Sequence, residues 1–381
     1  MKEKNNEGRI FIEFGEEHYN PLGVIRSLGE MKIKPVAIIR KGEFGFASKS
    51  KYISDLYMVD SIEEGYNILL KKYGNMKKKP IVYTTDDQIT SFLDQRYDEL
   101  KDRFIFYNAG QAGRITKYMN KETINELATK YGLDVAKSWK IKNGDIPKDI
   151  EYPVMTKAII STINNWKDEV YICNTEEELK QAFTKIQSKD ILLQKYIIKK
   201  NELCIDGYSV NNGKKVFYAI ASNYNNIKKD AYSNYMIVKN CNYPELENKL
   251  SKMFKEIQFE GIFSVEFLID QNDQYYFLEI NFRNSTWSWA STKAGMNLPY
   301  LWSKAMENDE IVEKSYNEFV PFNAMAEFND YKDRVKTGEI GKVKWIKQML
   351  GCKCLYFWDF KDAKPVIERL KHKVLKKLKR R

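Results

Sequence analysis

The chain has 381 residues, 43% of them apolar, and a formal net charge of +11 from 63 Lys and Arg against 52 Asp and Glu. That length suits about two or three domains with sizeable cores, while no apolar run reaches the roughly 18 residues of a membrane-crossing helix. With only two histidines, His18 and His372, the chain is poorly suited to zinc sites, His-based triads and His acid–base pairs, so any bound metal is expected to be a hard, oxygen-ligated ion, Mg²⁺ or Mn²⁺.

In chain order, Arg9 to Gly15 reads as a buried strand and Tyr19-Asn-Pro-Leu-Gly23 as a turn into a helix ending at Glu30. Strands follow at Lys34–Ile39, Leu56–Val59, Pro80–Thr84 and Phe104–Tyr107. Between them lie helices from Ser61 to about Tyr73 and from the Asp86-Asp87 cap to about Leu100. Strand–helix alternation with short links predicts a Rossmann-like parallel α/β layer over residues 1–115. No GxGxxG is present, so a dinucleotide reading has no support.

A helix opens at Asn120 and closes at Gly132. From Val135 the pattern turns to strands: Tyr152–Lys157, Val170–Cys173, Asp190–Ile197, two near 203–222, and one near 235–239. Helices interrupt them at 175–187, 244–258 and 297–306. Mixed sheets with interposed helices indicate an α+β region over 116–310, with a smaller subdomain at about 135–195 and a larger one at about 196–310. Residues 311–381 form a C-terminal segment. Its last 18 residues hold nine Lys or Arg and one Glu, with Val366, Ile367, Leu370, Val374 and Leu378 at helical spacing. Such a tail suits the surface of an anionic membrane or a solvated helix packed on the body. No nucleic-acid-binding motif accompanies the charge. The N-terminus lacks the apolar core of a signal peptide, and five scattered cysteines point to reduced thiols in the cytoplasm.

The richest segment is Ser264 to Arg283. Two β-branched and aromatic arms flank a turn at Asn272-Asp273, predicting a hairpin with a two-residue loop. Counting outward from the turn sets Glu266 opposite Glu279, with Asn281 and Arg283 on the same face by period-two alternation. Two carboxylates ~4 Å apart repel by about 4 kcal/mol at an effective dielectric near 20, and a divalent cation between them turns that repulsion into attraction.

This pattern, Glu266-Phe, a turn, then Tyr276-Phe-Leu-Glu-Ile-Asn-Phe-Arg283, resembles the metal-binding hairpin of the ATP-grasp superfamily, in the branch of biotin carboxylase and carbamoyl phosphate synthetase. The resemblance implies an ATP-grasp fold in which Glu266, Glu279 and Asn281 hold Mg²⁺ on ATP and Arg283 steadies an anionic substrate. It extends upstream in order. Lys121, opening a helix, resembles the first ATP-contacting lysine, and Lys157, on a strand, the second. Gln194, with the backbone of Lys195 and Ile197, resembles the adenine contact, and Glu202 the ribose-binding acid. Departures are Ala158 after the second lysine, where Pro is common, and a flap, Ser161 to Lys167, without Gly. Ser264 stands where D-alanine–D-alanine ligases carry Arg. The segment Ser285–Trp302 and the stretch Trp358–Pro365 resemble the D-aspartate ligases and related cell-envelope ligases.

The implied activity is ADP-forming ligation of a carboxylate to an amine through an acyl phosphate, with Lys157 and Arg283 stabilising the anion. Asp206 and Tyr208 are candidates for proton acceptors or for structural roles. The rival expectations are a non-catalytic ATP-binding regulatory module and an ATP-grasp kinase or carboxylase.

Overall fold

The computed structural model describes residues 8–42, 45–158, 170–228, 232–312 and 316–378. The chain opens with β1 (Phe11–Glu16), α1 (Tyr19–Glu30), β2 (Val36–Arg40), β3 (Leu56–Val59), α2 (Ile62–Tyr73), β4 (Ile81–Thr84), α3 (Asp87–Asp94) and α4 (Tyr97–Leu100). The four strands form a parallel sheet in the order β3-β2-β1-β4. Helices cover both faces, which is why Phe11 to Phe14 and Val36 to Ile39 are buried without alternation. Local capping sets the helix starts. His18 Nδ1 accepts from the Asn20 N–H at 3.2 Å, Ser61 Oγ from Glu64 at 3.1 Å, and Asp86 Oδ1 from Ile89 at 3.0 Å. Because β2 and β4 flank β1 on opposite sides, the loops after β1 and β4 part at the carboxyl ends of the strands. Such a switch point is where open α/β sheets place ligands.

The strand expected at Phe104–Tyr107 is reduced to one parallel bridge, Ile81 to Ile105. Three residues on, Asn108 exchanges backbone hydrogen bonds with Glu260 at 3.0 and 2.8 Å. The chain is leaving the first sheet for the next one here, so its apolar run serves both and completes neither.

Next come α5 (Arg114–Tyr118), α6 (Lys121–Lys130), β5 (Asp134–Val135), β6 (Ser138–Lys142), β7 (Val154–Ala158), β8 (Ile172–Cys173), α7 (Glu176–Phe183) and β9 (Asp190–Lys195). Asn120 caps α6 by accepting from Glu122 and Thr123, and Gly132, at φ +75°, ends it. Strands β6-β9-β7-β8 make a four-stranded antiparallel sheet. Leu179, Ala182 and Phe183 of α7 pack with Val154, Ile191 and Leu193 in its own small core.

The largest sheet follows, from β10 (Asn201–Val210), β11 (Lys215–Tyr224), β12 (Tyr235–Asn240), α8 (Pro244–Ile257), β13 (Gly261–Ile269) and β14 (Tyr275–Asn281). After α9 (Trp289–Lys293) and α10 (Leu298–Ala305), the chain adds β15 (Phe322–Met325), α11 (Glu327–Asp330), a π-helical turn at Tyr331–Val335, α12 (Lys342–Leu350), β16 (Cys352–Leu355) and α13 (Lys364–Leu378). Eight strands run β16-β15-β12-β11-β10-β13-β14-β5. Residues 311–381, in which sequence reading found no strands, therefore supply two strands at one edge of this sheet. Their hold on the first sheet is a buried cluster: Arg26 Nε donates to Asp362 Oδ2 at 3.1 Å, and its other nitrogens reach the carbonyls of Tyr356, Phe357 and Asp362. Among the described residues no helix is long and apolar enough to cross a membrane.

Candidate functional site

The hairpin reaches the expected pairing by a different route. Its loop has three residues, not two. The Asp270 N–H donates to the Gln274 carbonyl, Asp273 adopts φ +64°, and Asp270 Oδ1 accepts from the N–H groups of Asn272 and Gln274 at 2.8 and 2.9 Å. This Asx-type turn shifts the register by one, pairing Ile269 with Tyr275 and Phe267 with Phe277. A bulge at Leu278 then restores it, so that Glu266 faces Glu279 and Ser264 faces Asn281. The bulge also changes which side of the sheet β14 presents. Phe277 and Ile280 are both buried, although three residues apart, and Glu279 and Asn281 turn to the opposite side.

On that side the predicted residues meet. Asn281 Nδ2 donates to Glu266 Oε1 at 3.0 Å and to Glu279 Oε1 at 3.5 Å, while Asn281 Oδ1 accepts from Arg283 Nη2 at 3.0 Å. Glu202 joins them from β10, where it shares a face with Cys204, the partner of Glu266 across the ladder. Burial pushes the Glu266 carboxyl up to about 8, and the charges of Glu279 and Glu202 push in the same direction. Burial among other acids thus disfavours the charged form of Glu266, and a cation placed beside it would favour that form. The donor set is hard and oxygen-rich, which fits Mg²⁺ or Mn²⁺. Among the described residues no group of three or more His, Cys, Asp or Glu side chains surrounds a common metal position. As placed, Asn281 bridges the two carboxylates with its N–H₂. To act as the expected ligand, its amide must turn over.

Arg283, expected as an anion clamp, already holds an anion. Its Nε donates to Asp87 Oδ1 at 2.7 Å and Nη2 to Asp87 Oδ2 at 3.0 Å, a bidentate pair reaching across to the first residue of α3. His18 sits near it, its imidazole held down to about 4 by burial and then by the Arg283 charge, so it is neutral at pH 7. Asp87 and His18 thus stand where the loops after β4 and β1 open the switch point. Sequence reading noted the Asp86-Asp87 doublet only as a helix cap. Asp86 does the capping, and the spare second acid was the signal for a further role.

Most of the other expected residues lie on the small antiparallel sheet, on its links, or in the body of β10. Gln194 Nε2 donates to Ser138 Oγ at 2.9 Å within the small sheet. The Lys195 N–H donates to the Lys137 carbonyl at 2.8 Å, and its ammonium to the Tyr152 carbonyl at 3.0 Å. Ile197 lies just past the end of β9, in the link to β10. Glu202 is paired with Lys199 at 2.7 Å. Lys121 is exposed at the start of α6, beside Glu122, which binds Lys140 of the small sheet. The Lys157 backbone pairs with Leu192, while its side chain and the flap at 161–167 lie outside the described residues. Asp206 is fully buried and accepts from Ser285 Oγ at 2.6 Å and Ser288 Oγ at 3.0 Å. Burial raises it to about 6. These bonds tie β10 to the turn before α9. Tyr208 is wholly buried against Phe217.

Residues 120–306 match the family model described as "Carbamoyl-phosphate synthase L chain, ATP binding domain". Among curated proteins, N5-carboxyaminoimidazole ribonucleotide synthase of Staphylococcus aureus (strain COL) is 29% identical over 164 residues, 42% of each chain, so the match spans about two fifths of that relative's length. Three solved structures are similar in fold. N5-carboxyaminoimidazole synthetase from Staphylococcus aureus is 17% identical with a TM-score of 0.65, covering 87% of this chain and 86% of that one. L-amino acid ligase from Bacillus licheniformis is 12% identical with a TM-score of 0.60, covering 83% and 79%. The biotin carboxylase domain of the Hydrogenobacter thermophilus 2-oxoglutarate carboxylase, in complex with MgADP, ADP and bicarbonate, is 17% identical with a TM-score of 0.60, covering 82% and 73%. Residues 120–306 therefore belong to the ATP-grasp superfamily, in the family of the carbamoyl-phosphate synthase L chain ATP-binding domain.

Proposed function

We propose that this protein is an ATP-dependent, ADP-forming ligase that joins a carboxylate to an amine through an acyl phosphate. The observation that carries the reading is the single sheet face on which Glu266, Glu279, Asn281 and Arg283 meet. Glu266 and Glu279 would hold Mg²⁺ or Mn²⁺, with Asn281 Oδ1 as third ligand once its amide turns. Bound there, the ion would neutralise charge on the β- and γ-phosphates of ATP. Lys121 and Lys157 would supply further positive charge to the phosphates. Gln194 and the backbone of Lys195 and Ile197 would contact adenine, and Glu202 the ribose hydroxyls. Arg283 would release Asp87 to bind the substrate carboxylate and, with Lys157, stabilise the acyl phosphate. Neutral His18 and the loop after β4 would line the substrate side. No protein nucleophile is required.

The structural neighbours support this reading by their chemistry, one being an L-amino acid ligase and another a biotin carboxylase domain with MgADP and bicarbonate. That bicarbonate favours one second reading, in which the activated carboxylate is bicarbonate and the enzyme a carboxylase. A cell-envelope precursor as amine or carboxylate belongs to the proposal only through the resemblance of Ser285–Trp302 and Trp358–Pro365. We place the reaction in the cytoplasm, where ATP is at hand and the free cysteines stay reduced. The basic tail at 366–381 is proposed as a peripheral contact with anionic membrane. Deleting it and measuring vesicle binding tests that point, and unchanged binding removes the tail from the contact.

The deciding experiment is a phosphate-release screen with Mg-ATP against amino acids, bicarbonate and envelope precursors, with Glu279→Gln as control. Substrate-dependent release that the variant lacks supports ligation. ATP binding without release under any substrate pair would leave a regulatory module. Equal activity in the variant would remove the metal assignment.

A further inference from the structure

Helix α12 carries an apolar ridge that faces solvent. Val343, Ile346 and Leu350 are 71%, 46% and 74% exposed. At 100° per residue they fall within roughly 60° of arc. Trp345 lies on the opposite side and is buried, its Nε1 donating to Asp330 Oδ2 at 2.8 Å and its ring edge-on to Tyr331 at 5.1 Å. That anchor fixes which face of the helix points outward. Lysines line both flanks of the ridge: Lys342 on one, Lys344 and Lys347 on the other, all exposed. Among the described residues no ion pair engages any of these three. Across 336–353 the other exposed charges are Lys336, Lys353 and a single acid, Glu339.

An apolar ridge rimmed by cations needs a partner with apolar material beneath a layer of negative charge. A bilayer containing anionic lipid has that arrangement: side chains enter the acyl boundary while lysines meet the headgroups. A second copy of this chain fits poorly, since an isologous contact would set Lys342, Lys344 and Lys347 against themselves. Nucleic acid fits poorly too, because the ridge is aliphatic and the one aromatic ring of the helix is turned inward. We propose that α12 docks the protein on an anionic membrane surface, with Val343, Ile346 and Leu350 inserted and Lys342, Lys344 and Lys347 on the headgroups. This contact is separate from the tail at 366–381 and does not depend on the ligase reading.

The test is flotation of the full chain with phosphatidylcholine vesicles, with and without phosphatidylglycerol. Two triple variants are compared, Val343→Ser/Ile346→Ser/Leu350→Ser and Lys342→Glu/Lys344→Glu/Lys347→Glu. The substituted side chains are exposed, and thermal melting checks that the fold is kept. Wild type is expected to float only with the anionic vesicles, and each variant to partition at least roughly tenfold less. Wild type that ignores anionic lipid overturns the proposal. So does a variant of either kind that binds like wild type, because the contact needs both ridge and charge. A dimer in sedimentation that the Ser variant abolishes overturns it in favour of self-association.

Discussion

Arg283 and Asp87 join two sheets through a bidentate pair, Nε to Oδ1 at 2.7 Å and Nη2 to Oδ2 at 3.0 Å. The guanidinium that closes the carboxylate face of the hairpin is thus held by a carboxylate from the neighbouring α/β layer. Asp87 occupies the position in which an anionic substrate would compete for Arg283.

Asp87→Asn is expected to lower KM for the carboxylate substrate by several-fold. Asn281 Oδ1 at 3.0 Å and the Asn284 carbonyl at 3.4 Å still orient Arg283 after the change. Steady-state kinetics read the effect, and a raised KM would show instead that Asp87 positions Arg283. Arg283→Lys keeps the charge but loses the fork, so KM for the same substrate should rise by about 10- to 100-fold.

Glu266→Gln and Glu279→Gln should each reduce Mg-ATP-dependent phosphate release by about 100-fold or more. Without ligands the effect reverses. Each substitution removes part of the burial and charge cost that keeps a proton on Glu266 in the folded state, and the melting midpoint should rise by ~2–4 °C, the shift that about 1 kcal/mol produces in a larger domain. A variant that is less active and also less stable would argue for a structural role.

The raised carboxyl of Glu266 makes stability depend on pH. Its folded value of about 8 lies above the ordinary 4.5, so the folded state holds a proton that the unfolded state has lost between those values. Its contribution is fully present below pH 4.5 and is lost as pH rises through 8. Asp206, at about 6, and Glu327, at about 7, act in the same direction. The Glu266 share is therefore the difference between the urea-unfolding profiles of wild type and Glu266→Gln. Metal binding should displace the same proton, so Mg²⁺ affinity should rise by up to about tenfold per pH unit towards pH 8. Titration calorimetry in two buffers measures the proton release.

Arg26→Met should destabilise the chain by about 3–5 kcal/mol, because it strands the buried Asp362 carboxylate. Ser50 Oγ and the Lys51 N–H, at 2.8 and 2.9 Å, only partly compensate it. Arg26→Met with Asp362→Leu should recover part of the loss in urea unfolding.

Sequence reading found the parallel layer, three of the four strands of the small sheet (all but Ser138–Lys142) and the hairpin, because strands carry their own period and turn residues. It missed the strand identity of Phe322–Met325 and Cys352–Leu355. These pair only at the edge of the large sheet, with partners distant in the chain or, for β15 and β16, in the same unassigned stretch. It also overread Phe104–Tyr107, of which only Ile105 pairs with the first sheet before Asn108 turns to Glu260. Of the proposed site, the residues close in sequence were legible, while Asp87 and His18 reach Arg283 only through folding.

The pairing of Glu266 with Glu279 shows the division most clearly. Sequence alone determined that two acids, an amide and a guanidinium share a hairpin, and that with two histidines in the chain a metal there would be hard. Tertiary structure decided how they meet. An Asx turn moves the register one way and the Leu278 bulge moves it back, and the packing of Phe277 and Ile280 decides where that bulge sits. Alternation is a local property of the chain. Register, and the neighbour that Arg283 finds, are set by burial summed over whole sheets.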